Sequence, residues 1–316
     1  MLMLARPAHF IEITGEVDNV VTWILSGATN VICYFLIVSG YGLYLAYNKE
    51  RLTWNYLFKR AARLYIALWT VFAIFVFCLG NILYPGRFSM SMSAVIANLT
   101  GYKWDYCHFL WFLLPYILMT LCSRWVFWLI DHAGQAVMLF CTGTLYLASS
   151  WIISRYYDSW LYCHYPVYHI LLVANMFFGL TIGAVMARMF LKGKSLTWRK
   201  LQGRNSLVVI IFLLSFVLRG QIHFEPINPF FCTFVVWLVL HLEFPQGIKN
   251  VFVELGNKSM LMWFLHGFLG VVLFSEYFAI IKNPVLSWCV WFAVTYIVAG
   301  ILHPLVDIMA IKIKLR

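Results

Sequence analysis

Charge is what this sequence has least of: Asp, Glu, Lys and Arg together make 11% of its 316 residues. A soluble domain carries roughly a quarter, because its surface must be coated with groups that water solvates. The composition therefore excludes a soluble enzyme of this size, with or without a single membrane anchor, and a disordered chain. Acid is scarcer than base, with 12 Asp and Glu against 23 Lys and Arg. The 8 cysteines include no C-x-x-C spacing, which removes zinc-ribbon and dithiol redox motifs. Most of them lie in apolar runs and read as small buried hydrophobes, and no metal site is expected. No hydrophilic stretch is long enough for a second, soluble domain, and no internal repeat is visible. One transmembrane domain over 1–316 is the expectation.

What is present is apolar: 63% hydrophobic and 19% aromatic residues. A helix that crosses hydrocarbon needs about 20 mostly apolar residues. Only a helix or a closed barrel satisfies its backbone in lipid, and these runs do not alternate as barrel strands do. The pattern predicts spans near 29–47, 64–83, 108–127, 135–153, 166–187, 206–219, 227–243, 259–278 and 286–306. Residues 1–11 are apolar but too short to span, and they lack the basic start and cleavage site of a signal peptide. They read as the second half of a truncated first helix. The expected fold class is all-α, a polytopic transmembrane helix bundle of nine complete spans plus that first helix, ten in all.

Charge placement tests this topology. With the 48–63 loop in the cytoplasm and alternation from there, 17 of the 23 basic residues fall inside and 6 outside. The positive-inside rule is obeyed. The weakest span is 206–219, but removing it inverts everything after it. Net charge +11 is thus a topology signal rather than a nucleic-acid footprint. The run 188–204, RMFLKGKSLTWRKLQGR, has six bases and no acid, and reads as a cytoplasmic loop attracted to anionic lipid.

Charged and histidine side chains at membrane depth are costly, so they are candidates for function. His9 ends the opening apolar segment. Ser39, Gly40 and Tyr41 interrupt an apolar helix, where small residues serve close packing or line a tunnel. Arg60 and Arg63 are three apart, on one helical face, where the cytoplasmic loop becomes helix. Two guanidiniums there anchor the topology or grip phosphates bidentately. His108 and Trp111 open a span, with Trp111 in an aromatic belt. Ser259 is expected to cap a helix, with His266 two turns later on the same face.

Four segments together resemble the membrane acyltransferase family 3, the integral O-acyltransferases of bacterial surface polysaccharides. YFLIVSGYGLYL resembles the family's second helix, with its S-G-[FY]. FKRAARLYIALW resembles its R-x-x-R segment before the third helix. HFLWFLLPYI resembles its W-[FY]-L segment, and LGNKSMLMWFLHGFL its late L-G-x-x-S…H helix. The resemblance covers essentially the whole chain. It implies a multi-pass protein of the bacterial cytoplasmic (inner) membrane. It also implies a cytoplasmic acyl-CoA donor, acetyl-CoA first among them, used as cosubstrate with no bound cofactor. The acceptor is a saccharide hydroxyl at the cell surface or on a lipid carrier.

The family's essential first-helix His is matched by His9, while the Arg that precedes it several turns upstream has no counterpart here. On this reading His9 is catalytic, Arg60 and Arg63 bind acyl-CoA, and Ser39, Gly40, Tyr41, Trp111, Ser259 and His266 line the cavity. Two other readings remain open at this point: a transporter of polysaccharide or lipid-linked sugar, and a non-catalytic relative of the enzyme. Release of free CoA separates an acyltransferase from a transporter.

Overall fold

The computed structural model describes residues 23–24, 27–28, 31–222 and 224–312. His9 lies outside the described residues. Among those described, every regular element is a helix. In chain order these are α1 (Val31–Asn48), α2 (Trp54–Phe72), α3 (Leu79–Leu83), α4 (Met92–Leu99), α5 (Leu113–His132) and α6 (Gln135–Tyr156). There follow α7 (Tyr165–Leu191), α8 (Asn205–Gln221), α9 (Asn228–Val239), α10 (Gln246–Gly267), α11 (Ser275–Ala279) and α12 (Pro284–Lys312). Two π-helical segments, Ala73–Cys78 and Phe268–Leu273, interrupt the regular helix after α2 and after α10. A 3₁₀ turn, His108–Phe112, leads into α5.

Among the described residues, six stretches are long and apolar enough to cross a membrane: Val31–Asn48, Trp54–Leu83, His108–His132, Gln135–Tyr156, Tyr165–Leu191 and Val285–Lys312. Two shorter apolar helices, Asn205–Gln221 and Glu225–Val239, occupy the expected spans 206–219 and 227–243. The remaining expected span, 259–278, is divided among α10, the second π segment and α11. Among the described residues the all-helical, multi-pass architecture holds, and six spans meet the criteria of length and composition.

Two helices start earlier than the apolar pattern places them. α2 begins at Trp54, ten residues before the expected 64, because the Thr53 hydroxyl accepts the Tyr56 backbone N–H at 3.2 Å and caps the first turn. Arg60 and Arg63 therefore sit within the helix, not at its mouth. α10 begins at Gln246, so Ser259 is mid-helix and caps nothing; its hydroxyl donates back to the Gly256 carbonyl at 2.7 Å. The polar first half of α10 is held by Glu254 and Lys258, an i,i+4 pair at 2.7 Å with the acid on the N-terminal side, the favoured order.

The described residues form two compact units. The first comprises the described residues up to 56 and those of 115–243; the second comprises 57–114 and 244–312.

In the first unit α1 and α7 pack backbone to backbone. A β-carbon on Gly40 would collide with the Leu180 carbonyl, and one on Gly183 with the Ile37 carbonyl. In a membrane, helices gain little from burying apolar surface, so contact distance decides association and small residues set it. Tyr34, Ile37, Phe178, Ile182, Phe216 and Val235 fill the core around this seam. Asn175 donates from α7 to Ser150 of α6 at 2.7 Å, a polar tie between neighbouring helices. At the basic end, the Tyr44 hydroxyl donates to Asp131 at 2.7 Å and Arg188 pairs with the same carboxylate at 3.3 Å.

In the second unit side chains rather than backbones set the contacts. Phe268, at the start of the second π segment, packs against Phe72 and Phe75, which flank the start of the first, at ring distances of 5.8 and 6.3 Å. A π turn shifts the hydrogen-bond register by one residue. The Tyr84 hydroxyl donates to the Leu273 carbonyl at the end of the second π segment, at 2.8 Å. α4 is capped at both ends. Ser91 accepts from the Ala94 N–H at 3.4 Å, and Tyr65 and Trp69 of α2 donate to the Thr100 and Leu99 carbonyls at 2.9 and 3.0 Å. Those are the groups a helix C-terminus leaves unsatisfied.

Candidate active site

The second unit carries the ionisable side chains at the positions the sequence singled out. Arg60 and Arg63 lie one turn apart on α2, both half-buried and both engaged with other groups. Arg63 donates from its terminal nitrogen to Asp307 of α12 at 2.6 Å. The other carboxylate oxygen of Asp307 lies 3.5 Å from Nδ1 of His303, one turn earlier on α12. Asp307 thus stands between a guanidinium and an imidazole. Pro304 sits inside this helix and removes one backbone donor there, so the segment that bears both groups lacks one helical bond.

Asp307 is largely shielded, its side chain 20% exposed, whereas that of Arg63 is 42% exposed. The pair is strong enough to orient the guanidinium. The exposed remainder can still meet an anion, because a guanidinium carries five N–H donors.

His266 closes α10 directly before the second π segment and is buried. Its Nδ1 is hydrogen-bonded to the Trp263 carbonyl, and its ring packs on Phe109 at 4.6 Å and near Trp291 at 6.2 Å. The chain has little space to spare here: a β-carbon on Gly267 would meet the Cys107 sulfur and the Phe109 ring at 2.6 Å. Trp111 lies in the 3₁₀ turn before α5, half-buried, at 6.0 Å from the Phe112 ring. Phe112 in turn meets Trp263 edge-on at 5.5 Å. Residues 109–112 and the end of α10 therefore share one aromatic cluster. Ser259, seven residues before His266, is exposed.

A polar relay of a different kind lies in the middle of α10. Lys258 bonds Glu254, donates to the Tyr296 hydroxyl at 3.1 Å and lies over the Tyr296 ring at 4.2 Å. The hydrogen bond from Lys258 and its charge hold the Glu254 carboxyl below the usual carboxylate range. In the connection before α5, burial and the neighbouring Asp105 push the Tyr106 phenol up.

Ser39, Gly40 and Tyr41 belong to the first unit. Ser39 is buried, its hydroxyl 3.2 Å from the Tyr116 hydroxyl. Gly40 is in the helix seam, where the Leu180 backbone takes the space a side chain would need. Tyr41 is half-buried, with its ring 6.4 Å from Phe190.

Asp307 and His303 escaped the sequence reading. The signal was there: H-P-L-V-D puts an imidazole and a carboxylate at i,i+4 at the end of an apolar helix, and such groups are functional candidates by default.

A family model described as an acyltransferase domain, that of acyltransferase family 3, matches residues 9–303. The chain belongs to acyltransferase family 3. Comparison with curated proteins and with solved structures gives no match. The matched range includes His9, Arg60, Arg63, His266 and His303, and stops short of Asp307, the carboxylate that holds Arg63. The protein is a multi-pass membrane acyltransferase.

Proposed function

We propose that this acyltransferase moves an acyl group, acetyl first among candidates, from acyl-CoA on the cytoplasmic side to a hydroxyl of a cell-surface or lipid-linked saccharide. On this reading it resides in the bacterial inner membrane, with a first helix bearing His9 beside nine further spans. The reading is carried by the family match over 9–303, which takes in His9 and the arginine pair of α2.

The chemistry follows from residue types. Arg60 and Arg63 hold the CoA phosphates, and Asp307 orients one of the two guanidiniums. The pantetheine arm carries the thioester from there toward the acceptor hydroxyl. His9 removes the proton from the acceptor hydroxyl as that oxygen attacks the thioester carbonyl. The carbon–sulfur bond then breaks, and the CoA thiolate leaves and takes up a proton. A neutral imidazole suits the task, since its ordinary pKa lies near physiological pH. The tetrahedral oxyanion needs a hydrogen-bond donor. His266, Trp111 and Ser259 shape the acceptor side.

The test is a pair of variants assayed in purified membranes. His9→Ala abolishes transfer with the protein still inserted. Arg60→Ala raises KM for acyl-CoA about tenfold with kcat much less affected, as expected when uniform binding is lost. Full activity in the His9 variant removes His9 from the mechanism; an unchanged KM in the Arg60 variant removes the phosphate grip.

A further inference from the structure

A cleft of about 330 Å³ opens in the first unit between the end of α7 and the start of α6. Its lining includes Gly134, Gln135 and Val137 on one side and Arg188, Lys192 and Lys194 on the other, with no acid among the lining residues. Cations near the end of a helix already favour that helix's dipole, so their presence alone says little. Two observations set these apart.

The first is that the backbone of the lysines is fixed by a folded turn. The Lys194 N–H bonds the Met189 carbonyl and the Gly193 N–H bonds the Phe190 carbonyl, both at 3.0 Å, with Gly193 at φ 68°. This is the double bond of a Schellman turn, and it fixes the backbone that carries Lys192 and Lys194, both exposed. Arg188, on the last turn of α7, is braced from behind by Asp131 at 3.3 Å. The second observation is the opposite wall. α6 starts at Gly134 with no side-chain cap and no acid in its first turn. Positive side chains therefore face a helix start that itself favours an anion, with an empty space of ligand size between them.

We propose that this cleft binds a phosphate group, supplied by the headgroup of an anionic phospholipid. It lies at the end of the unit that the positive-inside pattern assigns to the cytoplasm, and Val137 gives its wall an apolar part on which glycerol and chain carbons rest. The general attraction of the 188–204 loop to lipid becomes one defined seat. The proposal does not depend on which acyl group the enzyme moves.

The test uses the purified full-length protein in neutral detergent, with native mass spectrometry to count retained phosphatidylglycerol against phosphatidylcholine. The wild type is expected to hold one phosphatidylglycerol saturably. The double variant Lys192→Gln, Lys194→Gln weakens this at least tenfold. Gln135→Glu, which adds an acid to the first turn of α6, weakens it as well while leaving the melting temperature equal or higher, because an acid there suits the helix.

A second arm adds pyrophosphate alone. A thermal shift in the wild type that both variants lose, without retention of phosphatidylglycerol, keeps the phosphate seat and assigns its filling to a soluble phosphate. Retention and thermal response in both variants equal to the wild type overturn the proposal.

Discussion

The two units hold their helices by different means. In the first, α1 and α7 touch through glycine, and backbone meets backbone. In the second, rings, hydroxyls and one ion pair separate the backbones, and two π turns break the helical register. Backbone contact gives a seam that admits no variation. Side-chain contact leaves room for polar groups, and a π turn re-aims the residues on either side of it. His266 stands at such a turn, and Arg63, His303 and Asp307 meet in the same unit. The first unit supplies a rigid seam, and the second brings an arginine, a histidine and a carboxylate together.

Substituting glycine sharpens that contrast most. Gly183→Val is expected to cost about 3 kcal/mol or more, since overpacking costs 1–3 where side chains can yield and here a carbonyl cannot. Gly42→Ala, two positions past Gly40 with open space around it, is expected to be neutral or to gain up to about 1 kcal/mol from helix propensity. Thermal unfolding in detergent measures both. Equal effects at the two positions would mean that α1 and α7 are not seamed as described.

Next in size is the ion pair of the second unit. Asp307→Asn leaves Arg63 without its carboxylate, and a loss of about 1–2 kcal/mol is expected for a partly buried charged hydrogen bond. The exchanged pair Arg63→Asp with Asp307→Arg is expected to recover part of the stability but not the affinity for acyl-CoA. Recovery of both would mean that Arg63 has no part in holding the donor.

Smaller still is Trp69→Phe, which removes the donor to the Leu99 carbonyl from an exposed side chain; about 0.5–1 kcal/mol is expected. Smallest is Glu254→Gln. The Glu254 carboxyl is held low in the folded protein, so its contribution is present above the ordinary carboxylate range and fades as pH falls through the lowered value. The Glu254 side chain is 49% exposed, and no resolvable change in melting temperature at neutral pH is expected. A clear loss at pH 7 would show that this pair matters more to the unit than the exposure of Glu254 implies.

Sequence periodicity located the helices because lipid leaves a chain few other choices. It missed the starts of α2 and α10, since polar first turns carry no apolar signal. The start of α2 is instead written in Thr53, and the polar half of α10 in the Glu254–Lys258 spacing. The π segments AIFVFC and FLGVVL carry no composition that sets them apart from ordinary helix. Gly40 of the α1–α7 seam was legible as a small residue, but Gly183 and the partners Leu180 and Ile37 were not. The Arg63–Asp307 pair joins positions 244 residues apart, and nothing in a single sequence links them. His303 and Asp307 were legible as an i,i+4 pair, and that signal was passed over.

Acyl transfer is the claim on which the rest depends, and it has a direct measurement: free thiol released from acetyl-CoA by the purified protein in nanodiscs, with and without a saccharide acceptor. Acceptor-dependent release in the wild type, lost in His9→Ala and shifted to higher donor concentration in Arg60→Ala, is the expected result. Intact thioester in the presence of donor and a range of saccharide acceptors, with the protein folded and inserted, would contradict it.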